Sequence, residues 1–289
     1  MRVFRMLFFV KNEDGALELL LCEQKIEGEY MSMKLERLIA VRNKKSIYRD
    51  GERCVKVFNP PYSKSAIFGE ASNQVMAEEL GLMVPKVLEV TQTDGKWAIV
   101  SEYIQGKTLE QLILENPEKK STYFRTLADL QTSIHRKECP YLYRMKDELN
   151  NKISLSELDA TTRFDLHNRL EKMAKGISVC HGDFCPSNII LSGDGIYYTV
   201  DWTLASCGDP LADVAQTYLM FRLNGTDEDA ELYLDMYCSE SNTDKEKVYE
   251  WLPIIAAAMS IRRPEWERNI LLECINSNDF KNKIKNINK

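Results

Sequence analysis

Val179-Cys180-His181-Gly182-Asp183-Phe184-Cys185-Pro186-Ser187-Asn188-Ile189-Ile190-Leu191, continued by Ser192-Gly193-Asp194-Gly195 and by the run from Ile196 to Asp201-Trp202, is the stretch from which the fold is read. Apolar runs flank a polar loop and a tight turn. Asp194-Gly195 favours a two-residue type I′ hairpin turn, and that register sets Ser192 opposite Tyr197, Ile190 opposite Thr199 and Asn188 opposite Asp201. Directly opposed residues share a face, with Cβ atoms about 4.5–5.5 Å apart, so an amide oxygen and a carboxylate meet at the open end of the hairpin. Both are hard oxygen ligands of the kind Mg²⁺ takes beside substrate phosphates. Asp183 lies five residues before Asn188, in a loop containing Pro186, and is placed to orient a hydroxyl nucleophile and accept its proton. Any one of His181, Asp183, Asn188 and Asp201 alone would be read as a loop polar or a cap. The ordered set is far more specific.

Upstream, residues 35–58 are strand-like, with Asp50-Gly51 as a hairpin turn between apolar runs. Residues 64–80 place Ile67, Ala71, Val75 and Leu80 at helical intervals and stop at Gly81. Strand-like runs follow at 84–90 and 96–104, which makes the order β-β-α-β-β. Lys56 is flanked by apolar residues within its strand, where a merely solvated lysine is out of place. Downstream, helical patterns cover 109–115, 123–135, 161–175, 211–223, 227–238, 245–260 and 265–275, interrupted by the β insertion at 188–201. The fold class is therefore α+β, an antiparallel sheet with one main helix followed by a mostly helical region.

At 289 residues, with 28% charged and 44% hydrophobic residues, the chain is long enough for two packed lobes. A net charge of −6 leaves no basic stripe for a nucleic-acid backbone. The eight cysteines are dispersed without a C-x-x-C pair, which indicates reduced thiols in a cytoplasmic protein rather than disulfides or zinc. No apolar run reaches membrane-spanning length, so no membrane partner is expected.

At HGDFCPSN (181–188) and VDW (200–202) the chain resembles the aminoglycoside phosphotransferase and choline kinase-like family, bilobal relatives of the protein kinases, and the element order follows that family over residues 35–275. The resemblance implies a small-molecule kinase that moves the γ-phosphoryl group of Mg-ATP or Mg-GTP to a hydroxyl of a small acceptor, such as an aminoglycoside or an amino alcohol. It implies Asp183 as catalytic base or nucleophile-positioning residue, Asn188 and Asp201 as magnesium ligands, and His181 and Gly182 as support for the loop. It also implies Lys56 as the ATP-binding lysine and Glu70 as its partner, with Glu78 and Glu79 as alternatives on the wet face of the helix. The backbone of Ser101 and Tyr103 would meet the purine edge. Asp209 would cap the helix begun by Pro210 or brace the loop, and Asp213 would support the loop from behind. Residues 42–46 replace the Gly-rich loop of protein kinases, and H-R-D, D-F-G and A-P-E are absent, which disfavours a protein kinase.

The implied organisation is an N-terminal extension (1–34), a nucleotide-binding N-lobe (35–104) and a catalytic, substrate-binding C-lobe (105–289). The extension reads either as an extra hairpin around a turn at 12–15 or as an upstream start-site artefact, with Met31 or Met33 as the native start. An acidic cluster, Asp227, Glu228, Asp229, Glu231 and Asp235, reads first as a solvated helix face and second as an attractor for a cationic acceptor. The reading from another functional class is a nucleotide-binding pseudokinase or sensor without phosphotransfer. Asp183, Asn188, Asp201 and Lys56 together argue against it. The acceptor itself is not specified by these motifs.

Overall fold

The computed structural model describes residues 3–11, 17–25, 35, 37–42 and 44–275, and the chain divides into two units, Met1–Leu35 and Glu36–Lys289. In the first unit β1 (Val3–Lys11) pairs antiparallel with β2 (Leu17–Lys25). The expected turn at 12–15 and the proposed starts at Met31 and Met33 lie outside the described residues.

The second unit begins with β3 (Arg37–Arg42), β4 (Lys45–Asp50), β5 (Arg53–Phe58), α1 (Lys64–Glu79), β6 (Val87–Thr93) and β7 (Lys96–Glu102). The strands form one antiparallel sheet in the order β3-β4-β5-β7-β6. Asp50 faces Arg53 across the hairpin, with Gly51 at φ 60°, a conformation that glycine adopts without steric cost. Ser63 caps α1 by accepting the Ala66 N–H at 3.2 Å. The helix buries Ile67, Glu70, Ala71, Gln74 and Ala77 along one stripe, and Ile67 and Ala71 pack against Phe58 and Ile99 of the sheet. Glu70 is therefore carried inward by the apolar periodicity of its helix.

The rest of the unit comprises β8 (Gly106–Thr108), α2 (Leu109–Glu115), α3 (Lys120–His135), α4 (Met145–Leu155), α5 (Ala160–Lys172), β9 (Ser178–Cys180), β10 (Ile189–Ser192), β11 (Tyr197–Thr199), β12 (Ser206–Gly208), α6 (Pro210–Asn224), α7 (Asp227–Ser241), α8 (Lys245–Met259) and α9 (Glu265–Ile275). Its core contains Trp202, Trp251, Tyr233, Phe124 and Phe184, all essentially without solvent contact. Each such side chain contributes about 1.5–3 kcal/mol of hydrophobic stabilisation. α4 is an element the sequence pattern missed. Its sequence is mostly polar, and only Met145, Leu149 and Ile153, at intervals of four, are buried. The three-residue strands β8, β9 and β12 are too short for a periodic signal.

The register of the β10–β11 hairpin differs from the expected one by one residue. Ile189 faces Thr199, Ile190 faces Tyr198 and Leu191 faces Tyr197. Gly195 N–H donates to Ser192 O at 3.0 Å, Ser192 N–H donates to Ile196 O at 2.9 Å, and Gly195 sits at φ 84°. The connection is thus the three-residue Gly193-Asp194-Gly195 form closed by a left-handed glycine, not a two-residue type I′ turn. Asn188 consequently lies opposite Val200, whose N–H donates to Asn188 O at 2.9 Å. A one-residue shift turns a side chain to the other face. Asp201 is redirected by its own backbone, which is left-handed at φ 65°, ψ 62°.

Candidate active site

After β9 the chain leaves its short pairing with β12, and the backbone of residues 181–185 has to find hydrogen-bond partners elsewhere. α6 supplies them. Asp209 caps that helix by accepting the Leu211 N–H at 2.9 Å, and Pro210 opens it. Asp213, Gln216 and Thr217 then project from one face at i, i+3 and i+4. Asp213 accepts the Gly182 N–H at 2.7 Å and the His181 N–H at 3.2 Å. Gln216 Nε2 donates to Gly182 O, and Thr217 Oγ1 donates to Phe184 O at 3.0 Å.

Burial opposes the charge on Asp213, but the hydrogen bond from His135, the electrostatic influence of the two imidazoles and the hydrogen bond from Gln131 overcome it, holding the pKa at about 2 against the usual 3.8. A depressed folded-state pKa stabilises the fold fully above the unfolded value, and that contribution disappears as pH falls through the folded one. The gap corresponds to about 2 kcal/mol. Asp213→Asn is therefore expected to lower the melting temperature at neutral pH and to flatten the stability-against-pH curve between about pH 4 and 2, a change that circular dichroism melts at stepped pH would detect.

Within the loop, His181 is fully buried. Its Nδ1 accepts the Asp183 N–H at 3.2 Å, so its Nε2–H donates to Val200 O at 3.1 Å. The ring packs against Trp202 and Phe184. Gly182 sits at φ 77°, and a Cβ there would fall 2.3 Å from Leu204 O, so only glycine fits. These are the supporting positions expected for His181 and Gly182. Asn188 Nδ2 donates to Asp183 O at 2.8 Å and to Asp183 Oδ2 at 3.0 Å, which ties the side chain of Asp183 to the loop. Burial, and then the charge of Asp201, outweigh the opposing influence of His181 and Asn188 and raise the Asp183 pKa. An elevated carboxylate pKa suits a group that takes up a proton.

On the sheet side, Lys56 Nζ lies 2.6 Å from Glu70 Oε1 and 3.3 Å from Asp201 Oδ1. Glu70 is the acidic partner brought to Lys56, whereas Glu78 is half-buried and Glu79 exposed further along α1. A second lysine, absent from the sequence-derived site, completes the cluster. Lys45 Nζ lies 2.8 Å from Glu70 Oε2, 2.9 Å from Thr203 Oγ1 and 3.7 Å from Asp201 Oδ1. It comes from the segment that stands in for a Gly-rich loop. Its signal was the hairpin register: Lys56 faces Ile47, and Lys45 is two residues from Ile47 on the same face. Burial works against the charge on Asp201, but Lys56, then Lys45 and Thr203, hold its pKa well below the usual carboxylate range.

The donor set fits magnesium. Asn188 commits Nδ2 to Asp183, which directs its Oδ1 away from that bond as a neutral hard ligand. Asp201 engages Lys56, Lys45 and Thr203 through Oδ1, leaving Oδ2 as an anionic hard ligand.

Of the two backbone positions expected at a purine edge, Tyr103 donates its N–H to Glu52 O at 2.9 Å, which commits that amide. Ser101 lies within β7, opposite Cys54 of β5 and Val87 of β6. In the acidic cluster, Asp227 pairs with Arg222 and Asp229 with Lys120, while Glu231 and Asp235 share Lys245. Glu231 also accepts the hydroxyls of Tyr218 and Tyr249. Asp227 and Asp235 stay largely exposed, as on a solvated face, whereas Asp229 and Glu231 turn inward and clasp neighbouring helices.

An antiparallel sheet whose lysine–glutamate pair meets an aspartate presented by the helical lobe belongs to the bilobal, protein-kinase-like fold, and the comparisons bear this out. The choline kinase LicA of Streptococcus pneumoniae, also solved with AMP, superimposes with a TM-score of 0.58 at 22% identity, covering 83% of this chain and 91% of that one. A thermostable aminoglycoside phosphotransferase APH(4)-Ia variant, in ternary complex with ADP and hygromycin B, superimposes with a TM-score of 0.63 at 13% identity, covering 83% and 92%. Within that fold the chain belongs to the phosphotransferase enzyme family, whose model matches residues 40–251. An aminoglycoside 3′-phosphotransferase of Streptomyces ribosidificus is 26% identical over 228 residues, 65% of this chain and 80% of that protein. The protein is accordingly a phosphotransferase of this family, acting on a hydroxyl acceptor. Among the described residues no helix is long and apolar enough to cross a membrane.

Proposed function

We propose that the protein transfers the γ-phosphoryl group of a magnesium-bound nucleoside triphosphate, ATP in preference to GTP, to a hydroxyl of a small aminoglycoside-like or amino-alcohol acceptor. The observation that carries this reading is the convergence of Lys56, Glu70 and Asp201 from three separate elements within 3.3 Å of one ammonium group. The preference for an adenine nucleotide rests on the AMP and ADP held by two proteins of the same fold. Asn188 and Asp201 would hold the magnesium, which when bound neutralises phosphate charge. Asp183 orients the acceptor hydroxyl and receives its proton, with its carboxylate aimed by Asn188. Lys56, kept charged by Glu70 and then by Asp201 against the opposing influence of burial, binds the phosphates. Glu70 holds Lys45 beside it as a second cation where no Gly-rich loop exists. With Asp183, Asn188, Asp201 and Lys56 all present, a pseudokinase is disfavoured.

The reading is tested by magnesium-dependent nucleotide consumption across aminoglycosides, amino alcohols and sugars, with Asp183→Asn in parallel. Acceptor-dependent turnover lost in the variant supports it, whereas nucleotide binding without turnover by either protein contradicts it. Lys56→Met and Lys45→Met are each expected to weaken nucleotide binding by about 10–100-fold, the effect of losing one charge-assisted hydrogen bond to phosphate. Titration calorimetry with a non-hydrolysable nucleotide measures this, and an unchanged affinity in Lys45→Met would remove Lys45 from the phosphate site.

A further inference from the structure

Asp213 is held from behind as well as in front. Two side chains one turn apart on α3 reach its carboxylate: Gln131 Nε2 at 3.1 Å and His135 Nε2 at 3.0 Å, both to Oδ2. The other ring nitrogen of His135, Nδ1, lies 2.8 Å from the hydroxyl of Tyr237 on α7. Both rings are buried, and they meet edge to face with centroids 5.7 Å apart. Since an ionised carboxylate only accepts hydrogen bonds, His135 Nε2 carries a hydrogen. Its Nδ1 then accepts the Tyr237 hydroxyl, which burial and then the charge of Asp213 keep protonated. The result is a directional chain from Tyr237 to His135 to Asp213 and on to the amides of His181 and Gly182.

Both nitrogens of a buried histidine find partners in any case; here the partner of Nε2 is the carboxylate that holds the loop carrying Asp183. We propose that His135 is a positioning residue for phosphoryl transfer: it fixes the Asp213 carboxylate that holds the His181 and Gly182 amides, and so sets where Asp183 points. The kinetic part of this rests on the proposed function above, whereas the structural part does not. A misplacement of about 1 Å at a reacting group can cost about 100-fold in rate. Loss of one of the four donors to Asp213 therefore registers mainly in kcat.

The experiment compares His135→Leu, His135→Gln and Tyr237→Phe with the wild-type chain. His135 and Tyr237 border an open cavity also lined by Thr132, Pro210, Leu211 and Lys247, so shorter side chains there leave a wet space rather than a sealed void. His135→Leu is expected to lower kcat about 10–100-fold with the nucleotide KM and binding stoichiometry unchanged. His135→Gln, which retains an N–H donor, is expected to recover most of the rate, with Tyr237→Phe falling between the two. Independently of activity, hydrogen exchange should show the His181 and Gly182 amides exchanging faster in His135→Leu while the amides of α3 and α6 stay protected. Retention of kcat within about twofold, a rate loss matched by lost binding stoichiometry, or unchanged exchange at 181 and 182 would each overturn the proposal. Should the wild-type chain consume no nucleotide with any acceptor, the exchange measurement decides the matter by itself.

Discussion

Replacing Asp183 with asparagine is expected to lower kcat by about 10²–10⁴-fold while leaving nucleotide affinity within about twofold, the range lost when a positioned general base is removed. The substitution is nearly isosteric, and an asparagine oxygen at position 183 can still accept the Asn188 Nδ2 hydrogen bond now made at 3.0 Å. Loop geometry should therefore survive and the loss should fall on chemistry. The wild-type rate is expected to rise with pH through the elevated pKa of Asp183, because only the ionised carboxylate can accept the proton. The variant should lack that acidic limb. Steady-state kinetics from pH 5 to 9, with a calorimetric check on nucleotide binding, separates the two effects. A variant with wild-type turnover would remove Asp183 from the reaction.

The second large effect is expected at Asp201. Asp201→Asn should reduce turnover by about 10²–10³-fold, the scale associated with losing one preorganised electrostatic contact in a transition state, and the residual activity should require a higher magnesium concentration. Asparagine tolerates the left-handed backbone at φ 65°, ψ 62°, so this variant isolates the charge. Asp201→Ala should add about 1–2 kcal/mol of destabilisation from backbone strain, visible as a lower melting temperature than that of Asp201→Asn. The folded-state pKa of Asp201 is held well down once Lys56 and Lys45 have overcome burial. Its contribution to stability is accordingly full above the unfolded carboxylate pKa and is lost as pH falls through the folded one. In Asp201→Asn that loss at low pH should be absent. A magnesium titration with unchanged half-saturation would contradict the assignment of Asp201 as a ligand.

The site was legible where chemistry is local in sequence. Asp183 and Asn188 share one loop, and Asn188 orients Asp183 directly. Lys56 stood out because a cation in an apolar strand requires a partner, and Glu70 was reachable because the buried stripe of α1 passes through it. The hairpin register was read one residue off, since a two-residue type I′ turn needs Asp194 as well as Gly195 in the left-handed conformation, and of the two only Gly195 adopts it. α4 escaped because a helix held by three buried apolar residues on a polar background carries little periodic signal.

The amino-acid sequence by itself determined the order of the elements, the separation of a sheet-rich from a helix-rich region, and the identity of the groups proposed to take a proton, hold a metal and bind phosphate. These follow from periodicity, turn chemistry and functional-group type, all of which act over a few residues. Only the tertiary structure decided that Lys45 shares Glu70 with Lys56, and that Asp213, Gln216 and Thr217 satisfy the loop backbone. It also decided that His135 stands behind Asp213. The physical reason is that buried charges and unpaired backbone groups must find partners wherever packing brings them, and those partners lie 25 to 158 residues away along the chain for Lys45 and 78 for His135.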